Sequence, residues 1–230
     1  MTYTKQQVIQ TVLKVLEELN KVDVTNLSLE ERKKLAEDKN TPPETLALLA
    51  SDENYYVRSY VARNPNTPPE ALTLLASDKM INVRLYVSQN PNTLTETLTL
   101  LAKDENYYVR SYVTRNPNTP PETLTFLASD EDFCVRWRVA KNSNTSPETL
   151  TLLASDVNGY VRWNVADNPN TPPEALTLLA NDENSYVREN AKENPNYNST
   201  TNITLTKQQK EAIQNLIDSS QDENLKSVIL

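Results

Sequence analysis

Aspartate–arginine pairs are the side chains of this sequence whose types and spacing are best suited to chemistry. In six places an arginine follows an aspartate by six residues: Asp52/Arg58, Asp78/Arg84, Asp104/Arg110, Asp130/Arg136, Asp156/Arg162 and Asp182/Arg188. A positioned carboxylate can act as a general acid or base, but a carboxylate and a guanidinium also form structural ion pairs. An active site requires one constellation, whereas these groups recur identically. We therefore predict a structural ladder, in which each arginine reaches its own aspartate and a neighbouring carboxylate or carbonyl.

The composition argues against most familiar enzyme classes. The chain has no histidine and one glycine, Gly159. Acid–base catalysis at neutral pH most often uses histidine, and phosphate-binding loops use several glycines. The one cysteine, Cys134, excludes disulfide frameworks and thiolate metal clusters, and we expect it to be half-buried and unreactive. We predict no enzyme activity and no cofactor or metal site.

Charge and hydropathy limit the partners and the location. The net charge is −8, which disfavours a nucleic-acid backbone as a ligand. The N-terminus shows no apolar signal core, and no apolar run approaches the length of a membrane span. A single cysteine suits a reducing compartment. We expect a cytoplasmic protein that binds neither nucleic acid nor membrane.

A 26-residue repeat organises the chain. The segment Asn40–Pro65 opens with Asn-Thr, and this pair returns every 26 residues, at Asn66, Asn92, Asn118, Asn144 and Asn170. A fixed period of about 20–50 residues indicates a solenoid, in which each unit adds a thin strip of core. We predict an N-terminal capping helix and a degenerate half-repeat in residues 1–39. Six tandem repeats follow in 40–195, and a polar linker with a C-terminal capping helix in 196–230.

The first helix of each unit is predicted from its capping residues and its leucines. In the first unit we expect Thr41 to be the N-cap, with Pro42 at the first helical position and Glu44 completing a capping box. Leu46 and Leu49 then lie one turn apart and form a buried stripe.

The second helix of each unit is predicted to begin near Asn54 in the first unit and to carry Val57 and Val61 inward. Asn64 and Pro65 end it, because the residue before a proline is disfavoured in the α region. Helices this short require stacking on their neighbours to be stable.

The repeat pattern N-P-x-T-P-P-E-x-L-x-x-L-A-x-D-x(4)-V-R-x-x-V-A closely resembles the variant leucine-rich repeat family, and more broadly HEAT-like α-solenoids. The resemblance covers residues 26–195. It implies an all-α, right-handed α-solenoid (superhelix) of 26-residue two-helix repeats with helical caps. The Asp/Arg pairs match the ladder between neighbouring HEAT units. Some family members carry an N-terminal iron–sulfur cluster on several cysteines, but this sequence has no cysteine before Cys134.

Aromatic residues concentrate on the predicted second helices. With Val57 and Val61 inward, a helical wheel places residue 59 outermost. The corresponding row reads Ser59, Leu85, Ser111, Trp137, Trp163 and Glu189. Tryptophans exposed in a row are favoured anchors for a partner, whereas packing between units is the alternative, which we favour for Tyr60, Tyr86 and Tyr112. The predicted binding surface comprises Trp137, Trp163, Tyr107, Phe133, Arg138 and Asn164.

One further row changes charge along the array. It reads Arg63, Gln89, Arg115, Lys141, Asp167 and Glu193, from basic to acidic. Such a row can orient an elongated partner.

The function predicted from these patterns is non-catalytic binding of a protein or peptide by a monomeric scaffold, through aromatic residues on the second helices. Two alternatives stay open. One is an enzyme or a chromophore- or nucleic-acid-binding protein on a HEAT-like frame, similar to the alkylpurine DNA glycosylases or the phycobilin lyases. The other is a structural oligomerisation rod.

Overall fold

A computed structural model describes residues 24–197, and the predicted capping helices of both termini lie outside this range. After a short 3-10 helix at Val24–Asn26, the described chain forms thirteen α-helices and no strand. α1 (Leu29–Glu37) belongs to the degenerate half-repeat. The first helices of the six units are α2 (Pro43–Leu49), α4 (Pro69–Leu75), α6 (Thr95–Leu101), α8 (Pro121–Leu127), α10 (Pro147–Leu153) and α12 (Pro173–Leu179). The second helices are α3 (Tyr55–Arg63), α5 (Ile81–Gln89), α7 (Tyr107–Val113), α9 (Phe133–Lys141), α11 (Gly159–Asp167) and α13 (Ser185–Glu193).

The predicted start of the first helices is wrong by one residue. α2 begins at Pro43 with Pro42 as its N-cap, and no side chain caps it. The hydroxyl of Thr41 donates instead to the carbonyl of Leu35, in the last turn of the preceding helix. The corresponding threonine of every later unit makes the same bond and is buried. Threonine therefore joins each unit to the helix before it, by donating to a carbonyl in the last turn of that helix.

The second helices begin and end as predicted. The side chain of Asn54 accepts a hydrogen bond from the amide of Tyr56 and caps α3, which ends at Arg63 with Asn64 as its C-cap. α7 departs from this pattern because it ends at Val113, two residues earlier than its counterparts.

The core runs the length of the array between the two helix layers. Leu46 and Leu49 of α2 and Val57 and Val61 of α3 are 0–1% exposed, and the equivalent leucines are buried in every unit. Burying each leucine contributes roughly 1.5–3 kcal/mol relative to leaving it in water. The second helices contact one another far more extensively than the first helices do. The described residues thus form an all-α solenoid, and its second helices build the more closely packed layer.

Candidate functional site

The Asp/Arg pairs join consecutive units rather than closing within one. Nε of Arg110 donates to Oδ2 of Asp130 in the following unit at 2.6 Å, and Nη1 donates to the carbonyl of Asp104 at 2.9 Å. The arginines from Arg58 to Arg162 each reach their own aspartate through its main-chain carbonyl and the next aspartate through its carboxylate. Arg32 of the half-repeat contacts the Leu27 carbonyl instead. The six rungs are Arg32–Asp52, Arg58–Asp78, Arg84–Asp104, Arg110–Asp130, Arg136–Asp156 and Arg162–Asp182. Arg188 keeps its two carbonyl contacts.

The rungs are charged and shielded from water. Burial by itself raises the pKa of Asp78, but the hydrogen bonds from Arg58 and from the Met80 amide outweigh it, so the pKa lies below its usual value. Asp182 shows the same balance with Arg162 and the Asn184 amide. Carboxylates held in this way have a structural role, since an arginine and a main-chain amide both donate hydrogen bonds to them.

The row at residue 59 is not the outermost row of the second helices. Ser111 is 2% exposed, and Trp137 is partly buried against the core. Trp163 is 38% exposed, whereas Tyr160 and Tyr186, three residues before this row, are 71% and 70% exposed. The helical-wheel prediction was wrong because the second helices pack on each other as well as on the first helices. The buried face of each second helix is therefore wider than the positions of its valines indicate.

Asn164, predicted to lie beside the tryptophans on the binding surface, does not lie there. Its side chain is 2% exposed and donates to the carbonyl of Tyr160 within its own helix. Phe133 is 43% exposed. Tyr107 packs partly against the core, and the hydrogen bond with Tyr108, with burial second, raises its pKa to about 12.

Trp137 lies at the centre of a cluster of aromatic rings and cations. The guanidinium of Arg138 lies 5.5 Å from the Trp137 ring centre and 5.3 Å from that of Tyr112 in the preceding unit. Nζ of Lys141 is 5.7 Å from the Trp137 ring, and the guanidinium of Arg115 is 5.6 Å from Tyr112. These separations are within the range of cation–π attraction.

An open cleft of about 390 Å³ lies at this cluster, where α7 and α9 end. Its lining consists of Thr114, Arg115, Asn116, Pro117, Trp137, Arg138, Lys141, Asn142, Ser143 and Asn144. No acidic residue lines the cleft, and its three cations form no ion pair with the described residues. Two of the three basic members of the charge row, Arg115 and Lys141, thus lie in the cleft.

A second ladder, made of asparagines, joins the ends of the second helices and is broken at the cleft. At a regular junction the Asn116 amide donates to the carbonyls of Ser88 and Asn90, and Asn118 donates to Pro91. At the next junction Asn142 keeps only the bond to Thr114. Among the described residues, the Asn144 side chain makes no hydrogen bond and the Pro117 carbonyl accepts none.

Three departures from the repeat coincide with this break. Thr114 stands, 1% exposed, where neighbouring units carry Ala62, Ser88, Ala140 and Ala166, and Ser143 replaces the proline of every other unit. Trp137 is much larger than Ser111, which holds the same position in the preceding unit. Larger side chains between packed helices force them apart. A comparison of the units at every repeat position reveals these departures. The sequence prediction compared only the aromatic and the charged rows of the second helices.

The first helices carry an exposed apolar row that sequence reasoning did not single out. Its members are 52–56% exposed: Leu48, Leu74, Leu100, Phe126, Leu152 and Leu178. The repetition of leucine at a position outside the buried stripe was its signal.

The remaining candidates for chemistry are the cysteine thiol and groups of side chains that could bind a metal. Burial, and then the charge of Asp132, raise the pKa of the half-buried Cys134 thiol, which lowers its thiolate fraction. Within residues 24–197, no cluster of three or more histidines, cysteines or carboxylates could hold a metal ion. Nor is any helix of that range long and apolar enough to cross a membrane.

The family described as "Leucine rich repeat variant" matches residues 55–80 and 161–184. A solved structure described as a leucine-rich repeat variant with a novel repetitive protein structural motif aligns with 88% of this chain and 76% of its own, at 29% identity and a TM-score of 0.60. Both matches support membership of the variant leucine-rich repeat family.

More distant structures also align with this chain. An engineered protein covers 70% of this chain and 94% of its own, at 17% identity and a TM-score of 0.37. A designed armadillo repeat protein covers 78% and 96%, at 16% identity and a TM-score of 0.29. No curated protein matches the sequence.

Proposed function

We propose that this chain is a non-catalytic scaffold that binds a protein or peptide through its second-helix layer, with Trp137 and Trp163 as anchors. The observation that carries the proposal is the cluster around Trp137, where a partly exposed ring, two arginines and a lysine border an open cleft. Tryptophan and arginine are the residues most enriched among the dominant contacts of protein interfaces. A repeat scaffold offers such a surface without rearranging its core.

A binding role is favoured over catalysis by how the reactive groups are used. The aspartates of the ladder are tied to arginines on one side and to main-chain amides on the other. The one thiol has a raised pKa. The hydrogen-bonded carboxylates are thus engaged in structure rather than free for acid–base catalysis, and the thiol lacks the lowered pKa that nucleophilic catalysis requires.

Affinity capture from a lysate of the source organism tests the proposal. The variant Trp137→Ala/Trp163→Ala removes both anchors. Phe126→Ala/Leu152→Ala is the matched control, since it removes two exposed apolar side chains from the first helices of the same two units. We expect the wild type and the control to retain a protein from the lysate. The tryptophan variant should not retain that protein. Equal recovery by all three folded proteins would contradict the proposal.

A further inference from the structure

We infer that the cleft between the third and fourth units binds an acidic peptide, with Arg115, Arg138 and Lys141 pairing with its carboxylates and Trp137 packing against an adjoining side chain. This inference rests on the proposed function and specifies the chemistry of the partner.

Charge complementarity is the first argument. Three cations gather in a chain whose net charge is −8, and none of them has an acidic neighbour in the cleft. Burial, and then the charge of Arg115, lower the pKa of Arg138, so the cluster is crowded with like charge. A cluster of this kind gains most from a ligand that supplies carboxylates, because guanidinium and carboxylate form bidentate hydrogen bonds.

The break in the asparagine ladder is the second argument, and it favours a peptide over a simple anion. The Asn144 amide is a donor and the Pro117 carbonyl an acceptor, and both line the cleft without the bonds that their counterparts make at regular junctions. A peptide main chain carries an N–H and a C=O on each residue and can satisfy both groups. Sulfate offers acceptors alone.

The size and openness of the cleft are the third argument. Its volume of about 390 Å³ suits a few side chains of a passing segment rather than a large enclosed ligand. The cleft is open towards solvent at the ends of α7 and α9, so an extended chain can enter and leave. The Trp137 ring, flanked by Arg138 and Lys141, supplies an apolar contact beside the charges.

Fluorescence anisotropy with defined peptides tests this inference. The probe is a fluorescein-labelled 12-residue peptide of alternating Glu and Ser, and the same peptide with Gln in place of Glu is its control. Arg115→Glu reverses one charge in the cleft. Arg63→Glu makes the same change at the same repeat position of the first unit, where the side chain is also exposed. Circular dichroism verifies that each variant is folded, and Lys141→Gln provides a second test within the cleft.

We expect the wild type to bind the Glu peptide about tenfold more tightly than the Gln peptide. Arg115→Glu should lower that affinity by about tenfold or more, and Lys141→Gln by a smaller factor, whereas Arg63→Glu should change it by less than about twofold. A peptide affinity that Arg63→Glu and Arg115→Glu reduce equally overturns the inference, because long-range charge alone would then explain binding.

Two other occupants have distinct outcomes. Displacement of the Glu peptide by a 12-nucleotide single-stranded DNA at lower concentration would overturn the inference in favour of nucleic acid. Self-association that Arg115→Glu abolishes would overturn it in favour of a second copy of this chain. A captured partner that depends on Trp137, in a protein that ignores the Glu peptide, would leave the proposed function standing and reject the acidic ligand.

Discussion

Arg110 and Asp130 hold together the two units between which the cleft opens. Two parallel hydrogen bonds join them, from Nε to Oδ2 at 2.6 Å and from Nη2 to Oδ1 at 2.8 Å. Both side chains are less than 10% exposed. The asparagine ladder fails at the other end of the same helices, so this rung secures the junction on the side away from the cleft.

Removing this rung should destabilise the array strongly. In Asp130→Ala the Arg110 guanidinium stays buried without its carboxylate, and we expect the free energy of unfolding to fall by about 3–5 kcal/mol. Glu131→Ala is the matched neighbour, because its carboxylate is 88% exposed and only 3.5 Å from the same guanidinium. Its loss should cost less than ~1 kcal/mol. Urea unfolding measures both, and equal losses would show that the rung contributes no more than a surface pair.

Acid should weaken the rungs made by Asp78 and Asp182. Their pKa values in the folded protein are lowered, so the unfolded chain takes up protons first as the pH falls. The stabilisation is complete above the unfolded value of about 3.9 and is lost as the pH drops through the folded pKa values.

The pH effect is isolated by comparing variants with the wild type. The difference in unfolding free energy between the wild type and Asp78→Asn should be largest at neutral pH and should shrink below about pH 4. Asp167→Asn, at an exposed position, serves as the control and should differ little from the wild type throughout. A difference for Asp78→Asn that grows on acidification would contradict the assigned direction.

Restoring proline at residue 143 should stabilise the chain. Every other unit has proline there, and no described residue accepts a hydrogen bond from the Ser143 amide. Ser143→Pro should therefore raise the unfolding free energy by about 0.4–1 kcal/mol, because proline lowers the conformational entropy of the unfolded chain. Urea unfolding checks this. Destabilisation would mean that the turn itself is distorted at the break, rather than opened by Thr114 and Trp137.

The solenoid could be predicted from the sequence because its signals are local and repeated. The 26-residue period, the paired leucines and the Asn-Pro helix ends each recur, so errors at one unit are corrected by the others. The role of Thr41 was missed because a threonine before prolines fits an N-cap equally well. Only the stacked structure shows that its hydroxyl faces the preceding helix.

The candidate site could be predicted only in part. Trp137 and Arg138 were selected by residue type, and the structure places both at the cleft. The prediction that Asn164 lies on the binding surface was wrong, because its burial depends on packing between second helices. A helical wheel drawn for one helix omits that packing. The cleft itself arises from a missing contact between units, and a sequence pattern indicates contacts better than it indicates gaps.

The most direct measurement uses the two tryptophans as separate reporters. The chain has two, so Trp163→Phe leaves Trp137 as the sole tryptophan emitter and Trp137→Phe leaves Trp163, with excitation chosen to avoid the tyrosines. Titration of Trp163→Phe with the unlabelled Glu peptide should shift the Trp137 emission to the blue and reduce its quenching by acrylamide, because the ligand excludes water from the cleft. The Trp163 reporter should change less. Saturable binding that leaves Trp137 emission and quenching unchanged would contradict the assignment of this cleft as the binding site.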